Sequence, residues 1–326
     1  MILILQKYSN LFKTLGGFAM KCLVTELYNQ AGVEILEKNG VSVTLAYGKS
    51  LDELKEMVKD YEILIVRAAT PVDKSFVDAG VKLKAIGMAG IGLNHIDVEY
   101  AKSKGIGIFN VPDGSTTAVS ELAIGTMLNV LRKIGNANTY VKAGNWDKTG
   151  FTGNEIRNKT VGILSLGKIG FRVAEICLAF GAKQILTYDP YLKQEVADKI
   201  NAKILPLEEV LKQSDIISIH TPLTPETKHM IGKEQIAMMK DGAYLFNLGR
   251  GGIVDEEALY DALVSKKLTG AGFDVMEEEP PAKDNKLFKL DNFSITCHIG
   301  AGTHEAQVYI SESLSTQILK YLGVLK

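Results

Sequence analysis

Residues Thr160–Pro190 read TVGILSLGKIGFRVAEICLAFGAKQILTYDP, a strand, a turn, a helix and a second strand in succession. VGIL is a short β-branched, apolar run of the kind buried on both faces of a parallel sheet. SLGKIG is a tight turn. FRVAEICLAFGA carries apolar residues at helical spacing and ends on Gly181, and QILTY is a second apolar strand. Asp189 follows Gly170 by 19 residues, close to the spacing at which an acid closing the second strand meets a ribose hydroxyl. The turn leaves backbone N–H groups at a helix N-terminus, where unpaired donors and the helix dipole hold a pyrophosphate. The plain alternative is a buried βαβ crossover, with Asp189 a turn or N-cap acid before Pro190.

The glycine pattern is incomplete. The usual fingerprint is Gly-x-Gly-x-x-Gly, and Ser165 stands at its first position. Gly167 and Gly170 remain, for close phosphate approach and close helix packing. The first glycine eases the turn, so Ser165 is expected in a conformation that costs more for a residue with a Cβ. Asp189 accepts hydrogen bonds from ribose hydroxyls but repels a 2′-phosphate, which favours NAD over NADP.

With 326 residues the chain is long enough for two domains with sizeable cores. Its formal net charge of −1 offers no field suited to nucleic acid or an anionic membrane. No apolar run approaches the roughly 20 residues of a membrane-spanning helix. The three cysteines, Cys22, Cys177 and Cys297, are far apart and odd in number. They form no disulfide framework and no zinc or other metal pattern, and a reducing cytoplasm is the compartment they suit.

Residues 1–19, MILILQKYSNLFKTLGGFA, put Lys7 and Lys13 after a short apolar run rather than before it. That is not a signal-peptide order, and the segment reads as an N-terminal extension upstream of Met20. From Met20 strands and helices alternate, with about five strands before residue 112, the pattern of a parallel sheet covered by helices. Ala118–Ile134 reads as one long apolar helix. A polar stretch containing Trp146 then leads to the central unit. After Asp189 the alternation resumes, and a final helix over Glu305–Leu322 closes the chain.

Ligands of open α/β sheets bind at the carboxyl ends of the strands. Several strands here end in polar or glycine residues: HTP at 220–222, NLGRGG at 247–252, FDV at 273–275 and CHIGAG at 297–302. Arg250 could hold a carboxylate bidentately, or serve as a structural ion pair. His298 closes another strand, a place more often structural when judged alone. A Glu beside it would raise the imidazole pKa and set its tautomer. Spacing alone leaves Glu277, Glu278 and Glu279 open for that place. Arg, Glu and His on one edge are the parts for hydride transfer: carboxylate anchor, pKa tuner and proton carrier.

The motifs GMAGIGLNHID, SELAIG, VGILSLGKIG, TYDP, HTPLTPET, NLGRGGIVDEEAL, FDVMEEEPP and HIGAGTHEA span the chain from about residue 20. By them the sequence resembles the D-isomer-specific 2-hydroxyacid dehydrogenases, most closely the D-3-phosphoglycerate dehydrogenase members. The resemblance implies two Rossmann-like, doubly wound α/β domains with the active site in the cleft between them. The substrate domain would be 20–112 plus 302–326, and the NAD-binding domain 113–301. Arg250, Glu279 and His298 take the catalytic positions. Cofactor contacts fall on Gly167, Lys168, Ile169, Asp189, Thr221, Leu248, Gly249, Arg250, Asp274, His298, Gly300 and Ala301. Substrate contacts fall on Arg67, Ala89, Gly90, Ile91, Gly92 and Arg132. A homodimer through the NAD-binding domain is implied, and the apolar helix at Ala118–Ile134 suits it.

The resemblance further implies NAD-dependent hydride transfer at C2 of a D-2-hydroxy acid. The substrate expected is 3-phosphoglycerate or phosphohydroxypyruvate, in serine biosynthesis. Glyoxylate, hydroxypyruvate or another 2-oxo acid is the alternative, and a non-enzymatic NADH-sensing protein is a further one. Four positions depart from the family pattern: Ser165, Cys297 for a usual proline, Met88 for a frequent arginine, and Ser115 for a frequent asparagine. A chain ending at Lys326 is expected to lack the C-terminal regulatory domains of longer relatives, and with them feedback control by serine.

Overall fold

The computed structural model describes residues 20–326. The expected N-terminal extension lies outside the described residues. The described chain divides into two compact units, one of residues 20–115 with Ala301–Lys326, the other Thr116–Gly300.

The first unit alternates β1 (Met20–Val24), α1 (Gln30–Lys38), β2 (Val41–Leu45), α2 (Leu51–Val58), β3 (Ile63–Val66), α3 (Lys74–Ala79), β4 (Ala85–Met88), α4 (Val98–Ser103) and β5 (Gly107–Phe109). All five strands are parallel, in the order β2-β1-β3-β4-β5. Both faces are covered, so β3 and β4 are buried at every residue. Helix starts follow local chemistry: Ser50 and Glu53 form a capping box at α2, a device worth about 1 kcal/mol.

The second unit holds α5 (Thr116–Arg132), α6 (Ile134–Lys142), β6 (Thr160–Leu164), α7 (Lys168–Ala179), β7 (Gln184–Tyr188), α8 (Gln194–Asp198), β8 (Lys203–Ile204), α9 (Leu207–Gln213), β9 (Ile216–Ile219), α10 (Lys233–Met238), β10 (Ala243–Asn247), α11 (Glu256–Val264), β11 (Leu268–Phe273) and β12 (Phe293–Ile295). Its parallel sheet runs β12-β11-β10-β9-β6-β7-β8. The strand order reverses between β6 and β9, the switch point where such sheets open a crevice for ligands. The last helix, α12 (His304–Tyr321), belongs to the first unit. Its Ile310, Leu314 and Ile318 are buried with Cys22, Val24 and Leu36, each such side chain contributing about 1.5–3 kcal/mol. The Tyr28 hydroxyl donates to the carbonyl of Ser311 at 2.7 Å and ties α12 to the chain before α1.

The long helix expected over Ala118–Ile134 stops at Arg132. Lys133 takes a left-handed conformation, φ 53 and ψ 39, and a separate helix α6 begins beyond it. The stretch expected as a polar connector therefore starts helical. α6 buries no residue, so it has no apolar face to signal itself in the sequence. The apolar residues of α5 are used within the unit: Ala123, Met127 and Leu131 pack with Val173, Cys177 and Phe246.

Candidate active site

The carboxyl end of β6 carries the turn Ser165–Gly170. Ser165 has φ 71, the left-handed region that favours glycine. A Cβ on Gly170 would lie 2.2 Å from the Ser165 carbonyl oxygen, so only glycine lets α7 start so close to the strand. Gly167 caps α7 without any side-chain acceptor for its first-turn amides, and is exposed. A Cβ there would meet nothing within 4 Å. An uncapped helix N-terminus below open space suits a pyrophosphate. Lys168 and Ile169 form the first turn of the helix.

Asp189, just past β7, faces this turn. Its Oδ2 accepts from the Leu166 amide at 3.1 Å and from the Ser165 hydroxyl at 3.3 Å. Its Oδ1 accepts from the Tyr191 amide at 3.0 Å. A carboxylate placed one strand away from an uncapped helix start fits a ribose beside a pyrophosphate. On this geometry the residues present fit a dinucleotide.

On the other side of the switch point, the ends of β10, β11 and β12 bring together Arg250, Glu279 and His298. His298 Nδ1 lies 2.7 Å from Glu279 Oε2. The other carboxylate oxygen accepts from the Met276 amide at 3.0 Å. The bond to Glu279 raises the His298 pKa above its ordinary value, against a smaller lowering by burial. Burial pushes the Glu279 carboxyl up, but the bonds from His298 and Met276, with the charges of His298 and Arg250, together hold it below the ordinary range. Burial lowers the Arg250 pKa, and the Glu279 charge opposes that. Arg250 makes no salt bridge among the described residues; its Nη1 donates to the Gly249 carbonyl at 2.7 Å. Asn247 donates to the Arg250 carbonyl at 2.9 Å and accepts from the Gly249 amide. A Cβ on Gly251 would sit 1.8 Å from the Met276 carbonyl. That position must be glycine for the arginine turn to pack on the glutamate loop. Of the neighbouring acids, Glu277 pairs with His229 at 2.9 Å.

His298 has φ 55, a conformation costing on the order of 1–3 kcal/mol and kept only where surroundings over-determine it. Asp274 does this. Its carbonyl accepts from the His298 amide at 2.9 Å. Its carboxylate accepts from the Thr296 hydroxyl at 2.6 Å, the Ile299 amide at 2.9 Å and the Gly300 amide at 2.8 Å. The Asp274 carboxylate is thus buried and engaged within the chain. The sequence reading had no signal for this: an acid after a buried strand looks the same whether it faces a ligand or the next loop.

The remaining residues divide by element. Thr221, past β9, donates to the Leu164 carbonyl at 3.2 Å. Leu248 and Gly249 are buried past β10. Beside Thr221, His220 bonds Ser218 through Nε2 at 2.9 Å, and its Nδ1 has no partner among the described residues. Burial pushes the His220 pKa down to about 4, so the ring is neutral. In the first unit, Arg67 is half-buried past β3, and Ala89–Gly92 follow β4. Two of the amides in this loop are engaged within the chain. Ala89 donates to Val66 at 2.9 Å and Gly90 to Met88 at 2.8 Å. Among the described residues only the amides of Ile91 and Gly92 remain for a ligand. Met88 is 6% exposed; it fills core. Glu26, missed by the sequence reading, accepts from the amides of Arg67, Ala69 and Thr70 at 3.0, 3.2 and 3.0 Å and shapes that loop. Arg132 is exposed at the end of α5, Ala301 lies in the first unit, and Cys297 is exposed.

Residues 124–300 match the family model described as D-isomer specific 2-hydroxyacid dehydrogenase, NAD binding domain. The chain belongs to the D-isomer-specific 2-hydroxyacid dehydrogenase family. It is 44% identical over 304 residues to the D-3-phosphoglycerate dehydrogenase of Methanocaldococcus jannaschii, covering 93% of this chain and 57% of that protein. The chain thus spans little more than half the length of that dehydrogenase. It is also 44% identical to the hydroxypyruvate reductase of Thermotoga maritima, over 89% of this chain and 94% of that one. The crystal structure of the TT0316 protein from Thermus thermophilus superposes with a TM-score of 0.88 at 32% identity, over 94% of this chain and 98% of that one. The unit carrying the glycine turn, Asp189 and the Arg–Glu–His group is therefore this dehydrogenase family's NAD-binding domain.

Proposed function

We propose that this chain is an NAD-dependent oxidoreductase acting at C2 of a D-2-hydroxy acid. The observation that carries this is the 2.7 Å Glu279–His298 pair at the strand ends that also hold Arg250. NAD, when bound, supplies the hydride acceptor at nicotinamide C4. Everything else falls to the chain. Arg250 holds the substrate carboxylate. In oxidation the C2–H leaves as hydride and the hydroxyl proton passes to His298 Nε2, so C2–O becomes a carbonyl. Reduction reverses both transfers. Glu279, bonded to Nδ1, directs Nε2 to the substrate and keeps the ring basic enough to take the proton. Unit Thr116–Gly300 binds the dinucleotide. A reducing cytoplasm, where three free thiols persist, is the compartment this reading carries.

For the substrate, phosphohydroxypyruvate and 3-phosphoglycerate come first, as in the name of the Methanocaldococcus relative. A C3 phosphate needs cations to replace its hydration, and Arg67 and Arg132 are the candidates. Hydroxypyruvate or glyoxylate is the second reading. It is favoured by the near full-length match to a hydroxypyruvate reductase and by a buried Met88 where an arginine would serve a phosphate. NADH oxidation followed spectrophotometrically against phosphohydroxypyruvate, hydroxypyruvate, glyoxylate and pyruvate tests both. Arg67→Ala is expected to raise KM for the phosphorylated acid by about 10- to 100-fold, the worth of a charge-assisted contact, and to leave small 2-oxo acids nearly unchanged. A higher kcat/KM for hydroxypyruvate in the unaltered chain overturns the first reading, and no turnover with any of the four overturns the enzyme.

The assembly we infer is a homodimer through the NAD-binding unit. Ile134, Val141 and Trp146, on α6 and in the segment after it, are 53%, 44% and 89% exposed, large apolar side chains that a partner would shield from water. Sedimentation at twice the chain mass is expected, with Trp146→Glu shifting it toward one mass. A monomer at micromolar concentration rules the assembly out.

A further inference from the structure

Ser165 occupies a place where glycine would be relaxed, at φ 71, and its hydroxyl reaches the acid expected to bind ribose. We propose that Ser165 weakens the grip of Asp189 on NAD and so speeds cofactor exchange. The inference rests on the dinucleotide reading above. A carboxylate offers about four acceptor positions, two on each oxygen. On Oδ2 one is taken by the Leu166 amide and the other by the Ser165 hydroxyl, at 3.1 and 3.3 Å. On Oδ1 the Tyr191 amide takes one at 3.0 Å. One position is left. The two adjacent hydroxyls of a ribose ask for two. Either the Ser165 hydroxyl gives way, or one ribose hydroxyl goes without the carboxylate. The two amides cannot leave, because Leu166 and Tyr191 are fixed by the backbone on either side. The hydroxyl can, since it rotates about one bond and its contact is the longest of the three. Ser165 is thus the only one of the three donors that competes with the ligand on terms a substitution can change.

Two variants separate the hydroxyl from the backbone. Ser165→Ala removes the donor and keeps the Cβ in the left-handed region. Ser165→Gly removes both. NADH and NADPH dissociation constants are read by protein-to-nicotinamide fluorescence transfer, with NADH release by stopped flow and a thermal melt of each free chain. Both variants are expected to bind NADH about threefold to tenfold more tightly, the scale of one modest hydrogen bond, and to release it more slowly. NADPH affinity should not improve, because a 2′-phosphate cannot use the opened acceptor. Only Ser165→Gly should melt higher, by relief of the positive φ. Unchanged or weaker NADH binding in Ser165→Ala overturns the proposal, and a gain in Ser165→Gly alone does so as well, since it would trace to the turn. An unaltered chain that binds no NADH overturns the dinucleotide reading and this proposal with it.

Discussion

Replacing His298 by Asn is expected to lower turnover by a factor of about 10² or more, the scale of general acid–base catalysis, while NADH still binds. Asn is the informative choice. It is among the few residues that accept a left-handed backbone, so the φ of 55 at this position can survive. Its amide can still donate toward Glu279, so the carboxylate keeps a partner. The loop itself is held by Asp274 through Thr296, Ile299 and Gly300, none of which the substitution touches. What is lost is a group that can take a proton near neutral pH. Steady-state kinetics in both directions, with NADH binding by fluorescence, separate the effects. Near-normal turnover would mean the proton carrier lies elsewhere. Normal chemistry with lost NADH binding would mean that His298 serves the cofactor rather than the proton.

Much of the dinucleotide-binding unit was legible because its signals are local. A buried strand, a glycine turn, a helix and a terminal acid fall within Thr160–Asp189, and each is read from neighbours in sequence. Even the cost at Ser165 followed from one missing glycine. What escaped was set by partners far along the chain. Asp274 looks like any acid after a strand, yet its oxygens serve residues 22 to 26 positions later. The three acids of MEEEPP are equivalent by spacing; the family resemblance singled out Glu279, and the fold pairs it with His298 while sending Glu277 to His229. Nothing in the motif GMAGIG shows that the amides of Ala89 and Gly90 are used by the carbonyls of Val66 and Met88. Helix α6 was missed for the opposite reason: with no buried face it leaves no periodic pattern to read.

Glu279→Gln is expected to move the imidazole limb of the pH profile down and to cost turnover on the order of 10²-fold or more, short of the roughly 10⁴ seen when a triad loses its carboxylate. In the native chain each carboxylate oxygen accepts a different donor, the His298 ring at 2.7 Å and the Met276 amide at 3.0 Å. A carboxamide has one oxygen and one NH₂. It can keep one of these bonds and must turn a donor against the other, which loosens either the ring or the loop. The charge is gone in both cases. The bond to Glu279 is the largest cause of the raised His298 pKa, so without its charge the ring loses protons at lower pH. Reduction needs the imidazolium, so its activity falls as pH rises through that pKa, and the fall should begin at lower pH in the variant. Oxidation needs the neutral ring, so its rise should also begin lower. Stability shifts with the same sign. The His298 contribution is full below the ordinary imidazole value and fades as pH rises through the raised one. The Glu279 contribution is full above the ordinary carboxyl value and fades as pH falls through the lowered one. Thermal melts of the unaltered chain should therefore lose this pair's contribution at both ends, and Glu279→Gln should flatten that dependence. A variant whose limb stays in place, or moves up, would show that Glu279 does not tune His298, whatever its effect on turnover.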